Sequence, residues 1–453
     1  MQMKKDINIM FVSLGCDKNL VDSETMLGML EEEGYSFTDD ETLADAVVVN
    51  TCCFIQDAKQ ESIDMLLSMA ELKKNGRLRA LVAAGCLAQR YREEIQQEIP
   101  EVDVIVGTTA IDEITKAVEE ALGDRASCTN HYNDLNRPPV SGRKQALTTG
   151  GHYAYLKIAE GCDKHCTYCI IPKVRGNYRS IPMETLLKEA EQLAEAGVRE
   201  LILVAQETTL YGMDLYGKKT LPGLLAKLCQ IPGIAWIRLL YCYPEEIEED
   251  LIQVIKKEPK ICHYLDLPIQ HASDAVLKRM GRRTKQEQLR RIINRLREEI
   301  PDICLRTTLI TGFPGETQED YEELYRFVNE MEFDRLGVFA YSSEEDTPAA
   351  LMEPQVPESV KNARRSELME LQQAIAFEKA EEKTGQTVTV MIEGKAVDED
   401  VYVARTYMDA PGVDGYLFLH TAAQLMSGDF VKVKITDSND YDLIGEMAHE
   451  FTE

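Results

Sequence analysis

The sequence lacks any apolar run long enough to cross a lipid bilayer, so a membrane-spanning protein is not expected. Its basic start is followed by a short apolar stretch, broken by Asp6 and Asn8, with no small-residue cleavage site, which argues against a secretory signal. A GxxxxGK phosphate loop is also missing, which argues against a P-loop nucleotide hydrolase. With 44% hydrophobic and 28% charged residues, the composition is that of a soluble globular protein, which we expect to be cytoplasmic.

Positive charge is also scarce. The chain has 50 Lys and Arg residues against 78 Asp and Glu residues, a formal net charge of −28. A surface this acidic repels phosphate backbones unless its positive charge is sharply localised. It attracts basic partners instead, and a ribosomal protein is one such partner.

Cysteine is plentiful, with twelve residues in 453. A reducing cytosol does not sustain a disulfide framework, so we expect these cysteines to be metal ligands or buried thiols. Six fall into two sets of three, described below. The other six are interpreted as small buried hydrophobic residues, although Cys53 is adjacent to a member of one set: Cys53, Cys128, Cys229, Cys242, Cys262 and Cys304.

The first set is a local motif. Cys162, Cys166 and Cys169 follow a short apolar run at spacings of four and three residues. Structural zinc usually requires a fourth protein ligand, whereas a 4Fe-4S cluster held by three cysteines keeps one iron open for a substrate. The spacing favours the reactive cluster. A zinc site completed by His165 is the alternative.

The second set is distributed along a segment in which strands and helices alternate, over residues 6–123. The predicted strands are 7–13, 46–50, 80–84 and 102–106, and this pattern indicates an α/β domain with a doubly wound parallel sheet. Cys16, Cys52 and Cys86 each follow one of the first three strands, and the carboxyl ends of parallel strands line one crevice. We therefore predict a second three-thiol site. Cys52 is preferred over Cys53 because adjacent side chains leave a strand on opposite faces.

The alternation stops in a predicted linker, residues 124–150, which is rich in Asn, Pro, Gly and Ser. Arg137, Arg143 and Lys144 form a small basic patch there, interpreted as solvated. Strand–helix alternation resumes over residues 151–382. Six predicted strands, 155–158, 200–205, 236–241, 263–266, 304–310 and 335–340, indicate a partial (β/α)6 barrel with its active face at their carboxyl ends.

Short alternating strands follow from residue 383 to 449 and indicate a small antiparallel β-barrel of the oligonucleotide-binding kind. From Lys383 onward there are five basic and thirteen acidic residues, a net charge of −8. An RNA-binding barrel ordinarily carries a basic groove, so this charge argues against an RNA substrate.

Together these features resemble the methylthiotransferase branch of the radical S-adenosylmethionine superfamily. The CxxxCxxC motif is typical of the superfamily, and the other three cysteines and a C-terminal TRAM barrel are typical of the branch. Segments 13–19 (SLGCDKN), 204–212 (VAQETTLYG) and 407–411 (YMDAP) are similar to the RimO family, which modifies a ribosomal protein. The sister MiaB family, which modifies tRNA, is the nearest alternative. A non-catalytic protein that binds zinc and RNA is another.

The resemblance implies two 4Fe-4S clusters, one held by Cys162, Cys166 and Cys169 and the other by Cys16, Cys52 and Cys86. It implies that S-adenosylmethionine supplies both a 5'-deoxyadenosyl radical and a methyl group. The product would carry a methylthio group on the β-carbon of an aspartate in the small-subunit ribosomal protein at the decoding centre. An electron donor of the flavodoxin or ferredoxin type is expected, and the sulfur donor is not specified.

Three further residues are assigned to cofactor binding on the same basis. Tyr168 is expected to border the adenine, and Gln206 and Arg306 to point toward the rest of the cofactor, although either could be a satisfied buried polar residue. The sequence departs from the family pattern twice. Glu207 stands where Asp is expected, and Ile181 stands where the family usually has Arg, which puts any cofactor or substrate role of that position in doubt.

Overall fold

The computed structural model describes residues 7–76, 78–123, 128–396 and 400–448. The helices are α1 (Asp17–Glu32), α2 (Gln56–Lys74), α3 (Gly85–Arg90), α4 (Arg92–Glu98), α5 (Ile114–Leu122), α6 (Ile171–Arg175), α7 (Met183–Glu195), α8 (Met213–Tyr216), α9 (Leu221–Leu228), α10 (Glu249–Lys257), α11 (Asp274–Arg279), α12 (Gln286–Glu299), α13 (Gln318–Met331) and α14 (Glu358–Glu381).

The strands are β1 (Asn8–Ser13), β2 (Ser36–Phe37), β3 (Ala46–Thr51), β4 (Ala80–Ala84), β5 (Val104–Val106), β6 (Thr129–His131), β7 (Tyr153–Lys157), β8 (Ala159–Glu160), β9 (Arg179–Ser180), β10 (Glu200–Val204), β11 (Trp236–Leu239), β12 (Ile261–Asp266), β13 (Cys304–Thr311), β14 (Arg335–Ala340), β15 (Thr387–Lys395), β16 (Val401–Thr406), β17 (Leu417–His420), β18 (Phe430–Asn439) and β19 (Asp442–Met447). No helix in these described ranges is long and apolar enough to span a membrane.

The N-terminal sheet is parallel, with the order β2-β1-β3-β4-β5-β6, which confirms the doubly wound prediction. Its two central strands, β3 and β4, are fully buried because both faces are covered by helices. Ser13 pairs with Asn50, and Asn50 pairs with Ala84, so these three strands end in register. Their carboxyl ends therefore share one edge.

Two details of this domain differ from the sequence prediction. Helical periodicity in the sequence predicts a helix from Asp22 to Glu33, but α1 begins at Asp17, because polar residues fill its first turn and hide the apolar periodicity. Strand β6 lies inside the predicted linker and extends the sheet, although its Thr-Asn-His sequence has no strand-like apolar pattern. The proposed domain boundaries stay a prediction, and residues 6, 124–127 and 449 at those boundaries lie outside the described residues.

The central sheet is the predicted partial barrel of six parallel strands, in the order β14-β13-β12-β11-β10-β7. Its main apolar core lies between the strands and the helices packed against them, and includes the strand residues Leu201, Leu203, Leu265 and Leu305. The loop with the cysteine triplet follows β7 and the two-residue strand β8, at the carboxyl-end face.

The C-terminal strands form a closed five-stranded barrel in the order β15-β16-β17-β19-β18. Four of its pairings are antiparallel, as predicted, but β17 and β19 pair in parallel. A shared apolar cluster joins the barrel to the central sheet. At this contact Glu200 lies 2.7 Å from Arg238 Nε and 2.7 Å from Arg405 Nη2, and all three side chains are fully buried.

Candidate functional site

The first candidate site lies at the shared edge of β1, β3 and β4. Cys16 is the N-cap of α1, Cys52 follows β3, and Cys86 lies in the first turn of α3. Cys52 and Cys86 are buried and Cys16 is exposed. Burial raises the pKa of Cys86, Arg175 lowers it, and the nearby thiols of Cys53, Cys52 and Cys16 raise it further, so these side chains lie close to one another.

Glycines before two of these cysteines allow the close approach. Gly15 has φ +92°, and a Cβ there would lie 2.8 Å from Cys52 Sγ. Gly85 has φ +89°, and a Cβ there would lie 2.6 Å from the carbonyl oxygen of Thr51. Only glycine has both the backbone conformation and the missing Cβ that these turns require. The strand ends can therefore come together as a three-thiol edge.

The backbone around Cys52 is fixed by side chains from neighbouring elements. The Cys52 N–H donates to Ser62 Oγ at 2.9 Å, and the Ser62 hydroxyl donates to the Cys52 carbonyl at 2.9 Å. The adjacent Cys53 packs in the apolar core of the domain and interacts with Arg90, and burial raises its pKa to about 12. This orientation supports Cys52 as the member of the site, which stays a prediction.

The second candidate site is the loop between β8 and α6. The Cys162 N–H donates to the Gly176 carbonyl at 3.2 Å, and the Cys169 N–H donates to the Cys166 carbonyl at 3.0 Å. The loop also contacts the end of α11, because the Thr167 N–H donates to the Met280 carbonyl at 2.9 Å. Burial raises the pKa of Cys162 to about 12, and the nearby Cys166 contributes to the same shift.

The positions of the cysteines bear on the zinc alternative. In the part of the chain that the structure describes, no three His, Cys, Asp or Glu side chains form a group that could hold a single metal ion. His165 has φ +53° within the loop. The described residues thus contain no assembled Cys3His zinc site.

Sequence inspection missed a buried cation beside this loop. The Arg282 guanidinium carbon lies 4.3 Å from the ring centroid of Tyr243, and the Tyr243 hydroxyl lies 3.9 Å from Cys166 Sγ. Arg282 donates to the Pro268 carbonyl at 2.9 Å through Nη2, but its Nε and Nη1 are buried and have no hydrogen-bond partner among the described residues. Unpaired buried donors of this kind suit an anion such as a carboxylate. In the sequence, Arg282 is marked only by its position directly after Gly281, the glycine that follows the end of α11.

The structure places the three residues predicted to bind cofactor as follows. Tyr168 is packed edge-on against Phe313, with ring centroids 6.3 Å apart. Gln206 accepts the Gly161 N–H at 2.9 Å and donates to Glu160 at 2.7 Å, so it fixes the start of the cysteine loop. Arg306 is 2.9 Å from Asp266 and 3.6 Å from Asp414 of the C-terminal barrel. Their cofactor roles stay predictions.

The two departures from the family pattern have different surroundings. Ile181 is buried in the apolar core and contributes only backbone hydrogen bonds, which leaves that position no polar role. Glu207 is also buried, and its carboxylate lies 3.8 Å from the Lys164 ammonium. Burial raises the pKa of Glu207 to about 8, although Lys164 acts in the opposite direction.

The surroundings of both cysteine sites contact one segment at the carboxyl end of β11. Tyr241 donates its hydroxyl hydrogen to Asp17, the residue after Cys16, at 3.3 Å. Lys18 Nζ lies 3.2 Å from the centroid of the same ring. Tyr243, two residues further on, approaches Cys166. One three-residue segment therefore contacts the surroundings of both thiol sites.

A three-cysteine loop after the first strand of a six-stranded parallel partial barrel defines the class of radical S-adenosylmethionine enzymes. Residues 156–328 match the Radical SAM superfamily, residues 8–107 match the family described as uncharacterized protein family UPF0004, and residues 384–448 match the TRAM domain.

The chain belongs to the RimO family. It is 61% identical to ribosomal protein uS12 methylthiotransferase RimO of Lachnoclostridium phytofermentans, over 97% of this chain and 99% of that protein. It is 50% identical to the protein of the same name from Acetivibrio thermocellus, over 99% of both. Among solved structures, the radical S-adenosylmethionine methyltransferase TsrM from Kitasatospora setae superposes with a TM-score of 0.54 at 14% identity, covering 76% of this chain and 74% of TsrM, and shares the fold.

Proposed function

We propose that this protein is a radical S-adenosylmethionine methylthiotransferase that modifies ribosomal protein uS12 on the β-carbon of an aspartate. The observation that carries the proposal is that the Tyr241–Tyr243 segment contacts Asp17, next to Cys16, and Cys166 of the central loop. Its sequence relatives carry the name uS12 methylthiotransferase over nearly their whole length, which supports the same activity here.

Cys162, Cys166 and Cys169 would hold one 4Fe-4S cluster, and Cys16, Cys52 and Cys86 would hold the other. When bound, the clusters and S-adenosylmethionine supply the radical, the sulfur and the methyl group. Three thiols per site leave one iron of each cluster without a protein ligand.

The chain's own residues bind, orient and exclude water at the central site. Arg282 would bind a carboxylate of the cofactor through its free Nε and Nη1 hydrogens, and the Tyr243 ring beneath it keeps water from that charge. Tyr168 would border the adenine, with Phe313 fixing its ring. Gln206 keeps the loop in place through the Gly161 N–H, and Arg306 would face the cofactor from the fifth strand.

The charge of the molecule supports a basic protein substrate. A net charge of −28, with −8 in the C-terminal barrel region, attracts a basic ribosomal protein and repels tRNA. A reductant must supply an electron to the central site, and we propose a flavodoxin or ferredoxin type of donor. The proposal places the enzyme in the cytoplasm with its substrate.

The test is to incubate the anaerobically reconstituted protein, S-adenosylmethionine, a reductant and a sulfur source with purified uS12 or with tRNA. Mass spectrometry of both is expected to show the added methylthio group on an aspartate of uS12 and none on tRNA. Modified tRNA with unmodified uS12 would overturn the substrate assignment in favour of the MiaB-like alternative.

A further inference from the structure

A buried ionic network lies between the N-terminal and central domains. Asp22 of α1 pairs with both Lys157 and Arg175, and Arg175 Nη1 is 2.5 Å from the Asp22 carboxylate. Glu160 completes the network at 2.8 Å from Lys157 and 3.3 Å from Arg175. All four side chains are at most 7% exposed. Their charges cancel, with two cations and two anions.

Arg175 also contacts two residues outside this network. Its Nη2 lies 3.3 Å from Cys86 Sγ and also donates to Asn19 Oδ1 at 3.0 Å. Guanidinium groups are donors only, so the contact to sulfur is an N–H donated toward the thiol or thiolate. A thiolate at Cys86 would add a third negative charge next to a network that is otherwise neutral, and Arg175 is the cation that touches it.

The backbone of Arg175 belongs to the other site. Arg175 ends the short helix that begins two residues after Cys169, and the next residue, Gly176, accepts the Cys162 N–H at 3.2 Å. Glu160, which binds the Arg175 guanidinium, lies two residues before Cys162. A single residue thus contacts one cysteine site with its side chain and adjoins the other through its backbone.

We propose that Arg175 is a positioning residue that couples the two sites and raises the reduction potential of the N-terminal cluster. The inference rests on the proposed assignment of clusters to the six cysteines. A hydrogen bond to a ligating sulfur, and a positive charge beside it, stabilise the more negative reduced cluster. Through Asp22 and Glu160, the same guanidinium also links α1, which follows Cys16, to the residues that precede Cys162.

The experiment uses the full chain with Cys162, Cys166 and Cys169 replaced by Ala, so that the N-terminal cluster alone is measured. In that parent, Arg175→Met, Arg175→Lys and Lys157→Met are compared by iron content, by electron paramagnetic resonance of the reduced cluster and by redox titration. Lys157→Met is the matched control, because it removes a cation from the same network, and Lys157 contacts Asp22 and Glu160 but no cysteine.

We expect Arg175→Met to shift the midpoint potential to a more negative value and to change the resonance spectrum. Lys157→Met should shift the potential less. Arg175→Lys should shift it in the same direction as Arg175→Met by a smaller amount, because a lysine ammonium drawn to Asp22 and Glu160 withdraws from the sulfur.

The inference would be overturned if the midpoint potential of Arg175→Met equals that of the parent. It would also be overturned if that potential shifts no more than the potential of Lys157→Met. If Arg175→Met binds no iron, Arg175→Lys decides, and an unchanged potential in that variant overturns the inference. A parent protein without iron would overturn the proposed function as well, so the two failures are distinguishable.

Discussion

Both thiol sites contain three cysteines, but the chain brings those cysteines together differently in each. The central site is built from eight consecutive residues in one loop, and the N-terminal site from three strand ends that are 36 and 34 residues apart in sequence. The first depends on local backbone hydrogen bonds, and the second depends on sheet register and two glycines. We therefore expect small displacements of the strands to disrupt the N-terminal site more than the central site.

The largest effect is expected from a change at the central site. Cys162→Ala would remove a proposed ligand of the central cluster, so we expect both cleavage of S-adenosylmethionine and modification of uS12 to be lost. Release of 5'-deoxyadenosine and the mass of uS12 are the measurements. Cys229→Ala, a change at a buried thiol outside both sites, is the control and should keep both activities. Cofactor cleavage at the normal rate in Cys162→Ala would contradict the assignment of Cys162 as a cluster ligand.

The matching change at the N-terminal site should separate two steps. Cys86→Ala is expected to lose methylthio transfer and to retain reductive cleavage of S-adenosylmethionine, because the central loop keeps its three cysteines. The same two assays apply. If cleavage also disappears, and the variant still unfolds cooperatively with the usual midpoint, the N-terminal site is needed for cofactor cleavage as well as for methylthio transfer, which contradicts this expectation.

The dependence of the N-terminal site on its glycines predicts a large loss of stability. Gly85→Ala forces an alanine to φ +89° with its Cβ 2.6 Å from the Thr51 carbonyl oxygen. We expect the free energy of unfolding to fall by about 3–4 kcal/mol, measured by urea denaturation. Gly76→Ala is the matched control, since φ is +73° but no atom of the described residues beyond its chain neighbours lies within 4 Å of the added Cβ. Its expected cost is about 1–2 kcal/mol. Equal losses in both variants would show that close approach is unimportant.

A smaller effect is expected away from both sites, at Glu189 on α7. Burial raises the pKa of this carboxyl from 4.5 to about 7, so the folded state keeps a proton that the unfolded chain releases. The contribution of Glu189 to stability is therefore present below about pH 4.5 and declines as the pH rises to about 7. Glu189→Gln cannot ionise and should gain up to about 3 kcal/mol relative to wild type across that window.

The check is the free energy of unfolding of both proteins at pH 5 and pH 8. Glu191→Gln, a change at an exposed position on the same helix, is the control and should show no such pH-dependent difference. A constant difference between Glu189→Gln and wild type would contradict the pKa shift. Because Glu189 lies outside both cysteine sites, we expect this pH dependence whether or not the clusters are present.

The sequence was sufficient for features that are encoded locally. The CxxxCxxC spacing, the buried strands β3 and β4 and the short barrel strands all follow from periodicity and composition. Strand β6 was missed because an edge strand of polar residues has no apolar pattern. Arg175 and Arg282 were missed for a different reason. Their roles arise from contacts with residues distant in sequence, and a single arginine has no periodic signal.

The iron content of anaerobically reconstituted protein distinguishes two cubane sites in this chain from one. We expect about eight irons per chain in the wild type. We expect about four after Cys16, Cys52 and Cys86 are replaced together by Ala, and about four after Cys162, Cys166 and Cys169 are replaced. A wild-type content of about four irons, unchanged by loss of the N-terminal cysteines, would contradict the presence of two clusters.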